Sequence, residues 1–319
     1  MRAAVRTRYG PPEVVRVREV DPPAIGPRDL LVRVLVTSVT RTDCGVRGAK
    51  PFFIRGFTGV LRPKASILGG EFAGVVEAVG PAVTSFDVGA RVFGFSEDHG
   101  AHAEYLRIAE DGPVATIPER LGFEDVAPST EASYYALTAV RAADVRSGQR
   151  VLVNGATGAI GSAAVQLLKE RGAVVTAVCD TPNVELVRGL GAERIIDRNV
   201  ADFTRDEERY AAVVDAVGKS TFWRCRRLLE PRGQYLTTDL GPFWTTPLLA
   251  LITRFVGDKR ARMPVGPDRD RVVIEYFRGL LESGAFRPVI DRRYPLEEIV
   301  EAYRYVETGR KVGNVLITI

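Results

Sequence analysis

One segment constrains this chain more than any other: Val151-Leu-Val-Asn154-Gly155-Ala156-Thr157-Gly158-Ala159-Ile160-Gly161. A short strand of buried type, Val151–Val153, runs into a glycine-rich turn and then into helical spacing over Ile160–Arg171. Gly158 lets the backbone approach a pyrophosphate, and Gly161 lets helix and strand pack closely. The helix N-terminus offers free N–H groups and a positive dipole end to phosphate. Ala156 stands where the usual spacing has its first glycine, so the pattern draws its weight from the strand and helix around it. The expected dinucleotide contacts are Asn154, Gly155, Ala156, Thr157, Gly158, Ala159, Ile160 and Gly161, the alternative being a purely structural turn.

Asp180 follows the next strand, where such a fold places an acid on the adenine ribose. A carboxylate there repels a 2′-phosphate and favours NADH. The competing reading is a solvated loop acid capping the helix that starts at Asn183, which is itself a candidate contact.

The surrounding pattern sets the fold class. Val14–Val20, Leu30–Ser38, Gly74–Val79, Arg91–Phe95 and Ala103–Ile108 read as short strands between Gly, Pro and Asp turns, which suggests a small barrel. Residues 48–67 hold Gly, Phe, Pro and the cations Lys50, Arg55, Arg62 and Lys64, and read as a long functional loop or lid. From Val151 the chain alternates strand (Val174–Val178, Arg194–Ile196, Ala212–Asp215) with helix (Asn183–Gly189), as a doubly wound parallel sheet requires. Arg271–Glu282 and Leu296–Glu307 read as amphipathic helices. Val315–Ile319 reads as a terminal strand that needs a partner in the N-terminal barrel.

Composition excludes several classes. With 44 basic and 40 acidic residues among 319, the basic clusters are short and lack interleaved aromatics, so nucleic acid is not expected as the main ligand. The N-terminus lacks a secretory apolar region. The longest apolar run, Phe243–Val256, contains Pro247 and Arg254, so no membrane association is expected. Three scattered cysteines suit a reducing, cytoplasmic setting. The two histidines, His99 and His102, flank a Gly-Ala turn and are expected at the surface. With no Cys-x-x-Cys pair, no zinc or other metal site is expected.

Across essentially its whole length the chain resembles the medium-chain dehydrogenase/reductases. The residues that carry this are Ile67-Leu-Gly-Gly-Glu71-Phe-Ala-Gly74 with Val88-Gly-Ala-Arg-Val-Phe-Gly94, the turn at 155–161, and Asp215-Ala-Val-Gly218. Asp291-Arg-Arg-Tyr-Pro-Leu296 and Gly309-Arg-Lys-Val-Gly-Asn-Val-Leu-Ile317 are similar to the closing segment of the zinc-independent quinone oxidoreductase and zeta-crystallin branch. The resemblance implies an α/β chain: a GroES-like β-barrel catalytic domain (1–122), a Rossmann doubly wound parallel-sheet domain (123–266), and a C-terminal segment (267–319) returning to the first. The zinc alcohol dehydrogenases of the family have a His where Gly70 stands and a Cys where Thr40 stands, so zinc is not implied. Close relatives suit NADPH, whereas Asp180 leans the expectation toward NADH. The nicotinamide end is expected to meet Thr138, Val217, Asp239, Leu240, Gly241, Lys311, Gly313 and Asn314, each of which has an ordinary structural reading too.

The implied activity is hydride transfer from NAD(P)H to a small hydrophobic quinone or α,β-unsaturated carbonyl, in a homodimer. Thr40 is the candidate donor to the developing oxyanion, and Lys50, Tyr134, Tyr135 or water the candidate proton source. The apolar run from Phe243 to Leu251 is a candidate pocket wall, with a buried helix or a dimer contact as its ordinary reading. Two alternatives remain: a dedicated secondary-metabolite reductase of the same fold, and an NAD(P)H-binding structural or regulatory protein without turnover.

Overall fold

Strands are the main regular elements of the first third of the chain, and β-type patterns of apolar and polar residues mark them. In order come β1 (Arg2–Val5), β2 (Arg16–Glu19) and β3 (Asp29–Val39), helices α1 (Arg41–Gly48) and α2 (Arg55–Thr58), and strands β4 (Glu71–Val79), β5 (Arg91–Phe95), β6 (Tyr105–Ala109) and β7 (Val114–Thr116), before α3 (Phe123–Val126). Next are α4 (Glu131–Ala143), β8 (Arg150–Asn154), α5 (Ala159–Glu170), β9 (Val174–Cys179), α6 (Val184–Gly189), β10 (Arg194–Asp197) and β11 (Tyr210–Asp215). They are followed by α7 (Phe222–Cys225), β12 (Leu229–Thr237), α8 (Thr245–Ile252) and β13 (Arg260–Arg262). The chain closes with α9 (Arg271–Ser283), β14 (Ile290–Pro295), α10 (Ile299–Glu307) and β15 (Asn314–Thr318). This computed structural model describes residues 1–241, 245–264 and 270–319. Two units form, Met1–Glu131 with Arg269–Ile319, and Ala132–Asp268. The sequence placed its divisions after 122 and 266, and the second of these lies outside the described residues.

The first unit is organised by β3, whose partners are β4, β6 and β15, in a sheet ordered β14-β15-β3-β4-β5-β7. Leu30, Val32 and Val34 alternate into a core with Phe72, Val76 and Val92. Burying each such side chain contributes about 1.5–3 kcal/mol, and Phe72→Ala would cost about 3–5 kcal/mol. The terminal β15 pairs antiparallel with β3, Val315 opposite Val39. On α10, Ile299, Ala302, Tyr303 and Val306 repeat at helical spacing and pack with Val315 and Ile317. The strand expected at Val14–Val20 begins later, because Pro12–Val14 forms a single turn of 3-10 helix with proline at its start.

The second unit is a six-stranded sheet ordered β10-β9-β8-β11-β12-β13, every pairing parallel. The chain winds outward from β8 to β10, then crosses back to β11, so the strand order reverses between β8 and β11. In doubly wound sheets that switch point is where ligands bind, beyond the carboxyl ends of the strands. α5 covers β8 and β9 with Ala163, Ala164, Leu167 and Leu168, and its alanines and leucines are strong helix formers. α8 is not the buried helix that its apolar run allows: Leu248 is 58% and Leu251 56% exposed. Phe243 and Trp244 lie outside the described residues. Among the described residues, no helix is long and apolar enough to cross a membrane.

Candidate functional site

The glycine-rich turn lies at the carboxyl end of β8, whose Val151, Leu152 and Val153 are fully buried. Gly155 adopts φ +79°, and a Cβ there would sit 2.3 Å from Cγ1 of Val217, so Val217 lies against the turn. The Gly158 N–H donates to Gly155 O at 3.1 Å, and Gly158 O accepts the Ser162 N–H at 2.8 Å. The helical ladder therefore starts at Ser162, and the N–H groups of Ala159, Ile160 and Gly161 precede it. No side chain caps this helix start.

The two later glycines differ. A Cβ on Gly161 would lie 2.1 Å from the Gly155 carbonyl oxygen, whereas one on Gly158 would meet only that oxygen at 3.6 Å. The protein's own packing demands glycine at 161 and leaves room at 158. Uncapped N–H groups behind an open Gly158 fit a pyrophosphate. Thr157, Ala159 and Ile160 are half-buried at this opening. Asn154 and Ala156 face inward: the Asn154 amide donates to Asp215 Oδ1 at 2.9 Å, and the buried Ala156 donates its N–H to Val178 O at 3.1 Å. Asp215, itself buried, also accepts from Ser220 N–H and Tyr235 O–H, both at 2.9 Å.

Asp180 follows β9 at the same edge of the sheet. It makes no side-chain cap to backbone. Oδ1 accepts from the Asn183 amide at 2.7 Å, and Oδ2 pairs with Arg198 at 3.4 Å. Burial alone would raise its pKa, but these hydrogen bonds and the Arg198 charge hold it below the usual carboxylate value. Arg198, which follows β10, gave no local signal in the sequence.

Further along the edge, the loops after β11 and β12 meet: a Cβ on Gly218 would lie 2.5 Å from Cβ of Asp239. Asp239 Oδ1 accepts the Gly241 N–H at 2.7 Å, and Leu240 O accepts the Thr246 N–H at 3.0 Å, which fixes the turn. On α4, the Thr138 hydroxyl donates to Tyr134 O at 2.9 Å. Thr138 also borders a cavity of about 910 Å³ with Arg141, Leu251, Arg254, Arg260 and Met263. Tyr134 and Tyr135 stack edge to face, ring centroids 5.7 Å apart.

The first unit holds a buried polar cluster. Thr40 caps α1: its hydroxyl accepts the Asp43 N–H at 3.0 Å and donates to Asp43 Oδ2 at 2.8 Å, while Asp43 also accepts the Thr40 N–H at 2.9 Å. Donation from Thr40 to a substrate oxygen therefore requires its O–H to leave Asp43 Oδ2, while the two backbone bonds of the cap can stay. The Thr-x-x-Asp spacing was the signal for it. Asp43 is buried, and its Oδ1 accepts the Gly69 N–H at 3.1 Å.

The surface placement expected for His102 is corrected: its side chain is fully buried. Nε2–H donates to Ser38 O at 2.8 Å, and the Tyr303 hydroxyl, 201 residues away, faces Nδ1 at 3.4 Å. Burial holds the ring's pKa below its usual value. Both partners, Ser38 on β3 and Tyr303 on α10, lie far away in sequence, so local sequence could not show this burial. His99 is half-buried.

Glu71, also fully buried, accepts from the backbone N–H groups of Thr130 (3.0 Å) and Glu131 (2.6 Å) and from the hydroxyls of Thr130 and Ser38. Burial raises its pKa against the pull of those donors. The residue before it, Gly70, has no room for a side chain, because a Cβ would lie 2.4 Å from the Phe95 ring. Among the described residues, no group of three His, Cys, Asp or Glu could hold a metal ion.

The Lys311 ammonium donates to Gly313 O, and burial pushes its pKa down to about 8 against the opposing charges of Glu71 and Asp291. Gly313 takes φ +73°, with Val289 O only 2.2 Å from where a Cβ would be. The Asn314 amide donates to the same Val289 oxygen at 3.0 Å. Lys50 is exposed at the start of the 48–67 loop.

Comparison with known proteins agrees with both units. Residues 26–119 match the alcohol dehydrogenase GroES-like domain, and residues 190–317 match a family described as zinc-binding dehydrogenase. A 2-methylene-furan-3-one reductase from Solanum lycopersicum is 28% identical over 330 residues, 99% of this chain and 79% of that protein. A quinone oxidoreductase from Pseudomonas aeruginosa is 28% identical over 328 residues, 97% of each chain. The structure of a quinone oxidoreductase from Coxiella burnetii superposes with a TM-score of 0.87 at 25% identity, covering 100% of this chain and 99% of that one. Doubly wound sheet, glycine turn, GroES-like unit and full-length similarity together place the chain in the medium-chain dehydrogenase/reductase superfamily, in the branch that includes the quinone oxidoreductases and enone reductases.

Proposed function

We propose that this protein is an NAD(P)H-dependent reductase that delivers hydride to a small hydrophobic quinone or to the β-carbon of an α,β-unsaturated carbonyl. The carrying observation is the uncapped start of α5 behind Gly158, where a Cβ would meet only one protein atom within 4 Å, at 3.6 Å. Gly155, Thr157, Gly158, Ala159, Ile160 and Gly161 would hold the pyrophosphate through backbone N–H groups. Thr138, Val217, Asp239, Leu240, Gly241, Lys311, Gly313 and Asn314 are the proposed surroundings of the nicotinamide end. When bound, the reduced nicotinamide supplies the hydride.

What the chain itself contributes is positioning and charge. The anionic Asp180, kept charged by Asn183 and Arg198, supports acceptance of the ribose hydroxyls and hence NADH. The oxygen that gains charge as hydride arrives is stabilised by a positioned donor, and Thr40 serves if its hydroxyl leaves Asp43. The proton then comes from water, from Lys50, or from Tyr134 or Tyr135.

A cytoplasmic setting is supported by three free, buried cysteines. A homodimer is supported by the outward Leu248 and Leu251 of α8 beside the sheet-edge strand β13. The reading without turnover draws on the commitment of the Thr40 hydroxyl to Asp43.

The test is titration with NADH and NADPH, then absorbance at 340 nm against a panel of quinones and enones. Substrate-dependent oxidation is expected. Tight binding without oxidation across the panel, including polyketide-type enoyl thioesters, would leave the non-catalytic reading.

A further inference from the structure

The longest stretch of chain without an acidic residue runs from Cys44 to Gly70, between Asp43 and Glu71. Within it, Lys50, Arg55, Arg62 and Lys64 carry positive charge. The same stretch holds a concentration of exposed apolar side chains: Phe52 is 73%, Phe57 77%, Val60 68% and Leu61 91% exposed. Lys50, Arg62 and Lys64 are exposed beside them. Leaving large apolar groups in water is costly, and contiguous patches of them mark interaction surfaces.

The loop holds these groups outward by polar anchors. The Tyr9 hydroxyl donates to Gly59 O at 2.7 Å and lies 2.8 Å from the Thr58 hydroxyl. Lys64 N–H donates to Thr58 O at 2.7 Å, and Arg6 N–H donates to Ser66 O at 2.8 Å. The Arg55 guanidinium stacks over both Tyr9 and Phe52, 4.9 Å from each ring centroid. Anchored backbone, outward aromatic and aliphatic tips and flanking cations form the pattern of a segment that rests in a bilayer interface. There the apolar tips enter the acyl boundary and the cations meet headgroup phosphates. A segment that itself bears cations and no acid, as residues 44–70 do, is complementary to anionic lipid.

We propose that the 50–64 loop docks this protein on the surface of an anionic phospholipid bilayer, Phe57, Val60 and Leu61 inserting and Arg62 and Lys64 pairing with headgroups. Such docking needs no spanning helix, so the absence of a long apolar run in the sequence does not bear on it. It is independent of the catalytic reading. Were both to hold, apolar quinones or enones dissolved in the bilayer would be within the protein's reach.

The experiment is sedimentation of the full-length protein with vesicles of phosphatidylcholine alone and of phosphatidylcholine mixed with phosphatidylglycerol, at low and high salt. Alongside it run two double variants, Phe57→Ser/Leu61→Ser and Arg62→Glu/Lys64→Glu. All four side chains are exposed, and the melting temperature and nucleotide affinity of each variant check that the fold is intact. The expected result is binding to the phosphatidylglycerol vesicles that weakens at high salt and falls by roughly tenfold or more in either variant. No vesicle binding by the native protein, or equal binding by native protein and variants, overturns the proposal. So does loss of self-association in Phe57→Ser/Leu61→Ser without any vesicle binding, which assigns the loop to a second copy of the chain.

Discussion

Gly161 packs so tightly on Gly155 that an added Cβ would lie 2.1 Å from the Gly155 carbonyl oxygen. Backbone cannot yield as a flexible side chain would. Gly161→Ala gains up to about 1 kcal/mol of helix propensity but meets an overpacking cost of about 1–3 kcal/mol and loosens the turn. We expect a net loss of stability, read as a lower denaturant midpoint at unchanged slope.

Gly158→Val should behave oppositely. Its backbone, at φ −71° and ψ 166°, suits a β-branched residue, and a Cβ there meets nothing closer than 3.6 Å. The midpoint should stay near that of the native protein while nucleotide affinity falls by roughly tenfold or more, because the new side chain fills the approach to the helix N–H groups. Unchanged nucleotide titration would remove this turn from the site.

Asp180→Ser should invert the cofactor ratio. Removing a charge that would face a 2′-phosphate, while leaving Arg198 in place, is worth about 1 kcal/mol or more even in a water-like dielectric, so NADPH should gain roughly fivefold or more relative to NADH. Fluorescence titration of both nucleotides with both proteins decides it, and a fixed ratio would mean that the adenine ribose lies elsewhere.

His102 makes the fold acid-sensitive. Its folded pKa is lowered by burial, so below about pH 6.5 the unfolded chain takes up a proton that the folded ring refuses. Stability is therefore present at neutral pH and lost as pH falls. Melting temperatures from pH 8 to pH 5 should drop more steeply for the native protein than for His102→Gln, which retains a donor for Ser38 O. Parallel curves would contradict the assignment.

Lys311 titrates on the other side of neutrality. Its pKa is pushed down to about 8 from 10.5, so the buried ammonium costs stability below pH 8, and the cost fades as pH rises toward 10.5. Lys311→Met should stabilise the nucleotide-free protein at pH 7 by about 1–2 kcal/mol, with less gain at pH 10. If Lys311 touches the cofactor as proposed, the same variant binds nucleotide more weakly.

By itself the sequence determined whatever depends on neighbours along the chain. Strand, turn and helix at 151–170, the alternation of β3, the helical spacing on α10 and the Thr40-x-x-Asp43 cap are local patterns, so the periodicity of the chain or a short motif shows them. Tertiary structure decided the rest, because it turns on residues far apart in sequence that meet only when the sheets are assembled. It drew His102 inside beside Ser38 and Tyr303, brought Arg198 to Asp180 across two parallel strands, and placed four donors on Glu71 from β3 and from the chain leading into α4. It also left Phe57 and Leu61 in water where their chemistry alone would have buried them. Burial and charge pairing are properties of the assembled surface, and no single stretch of sequence contains both partners.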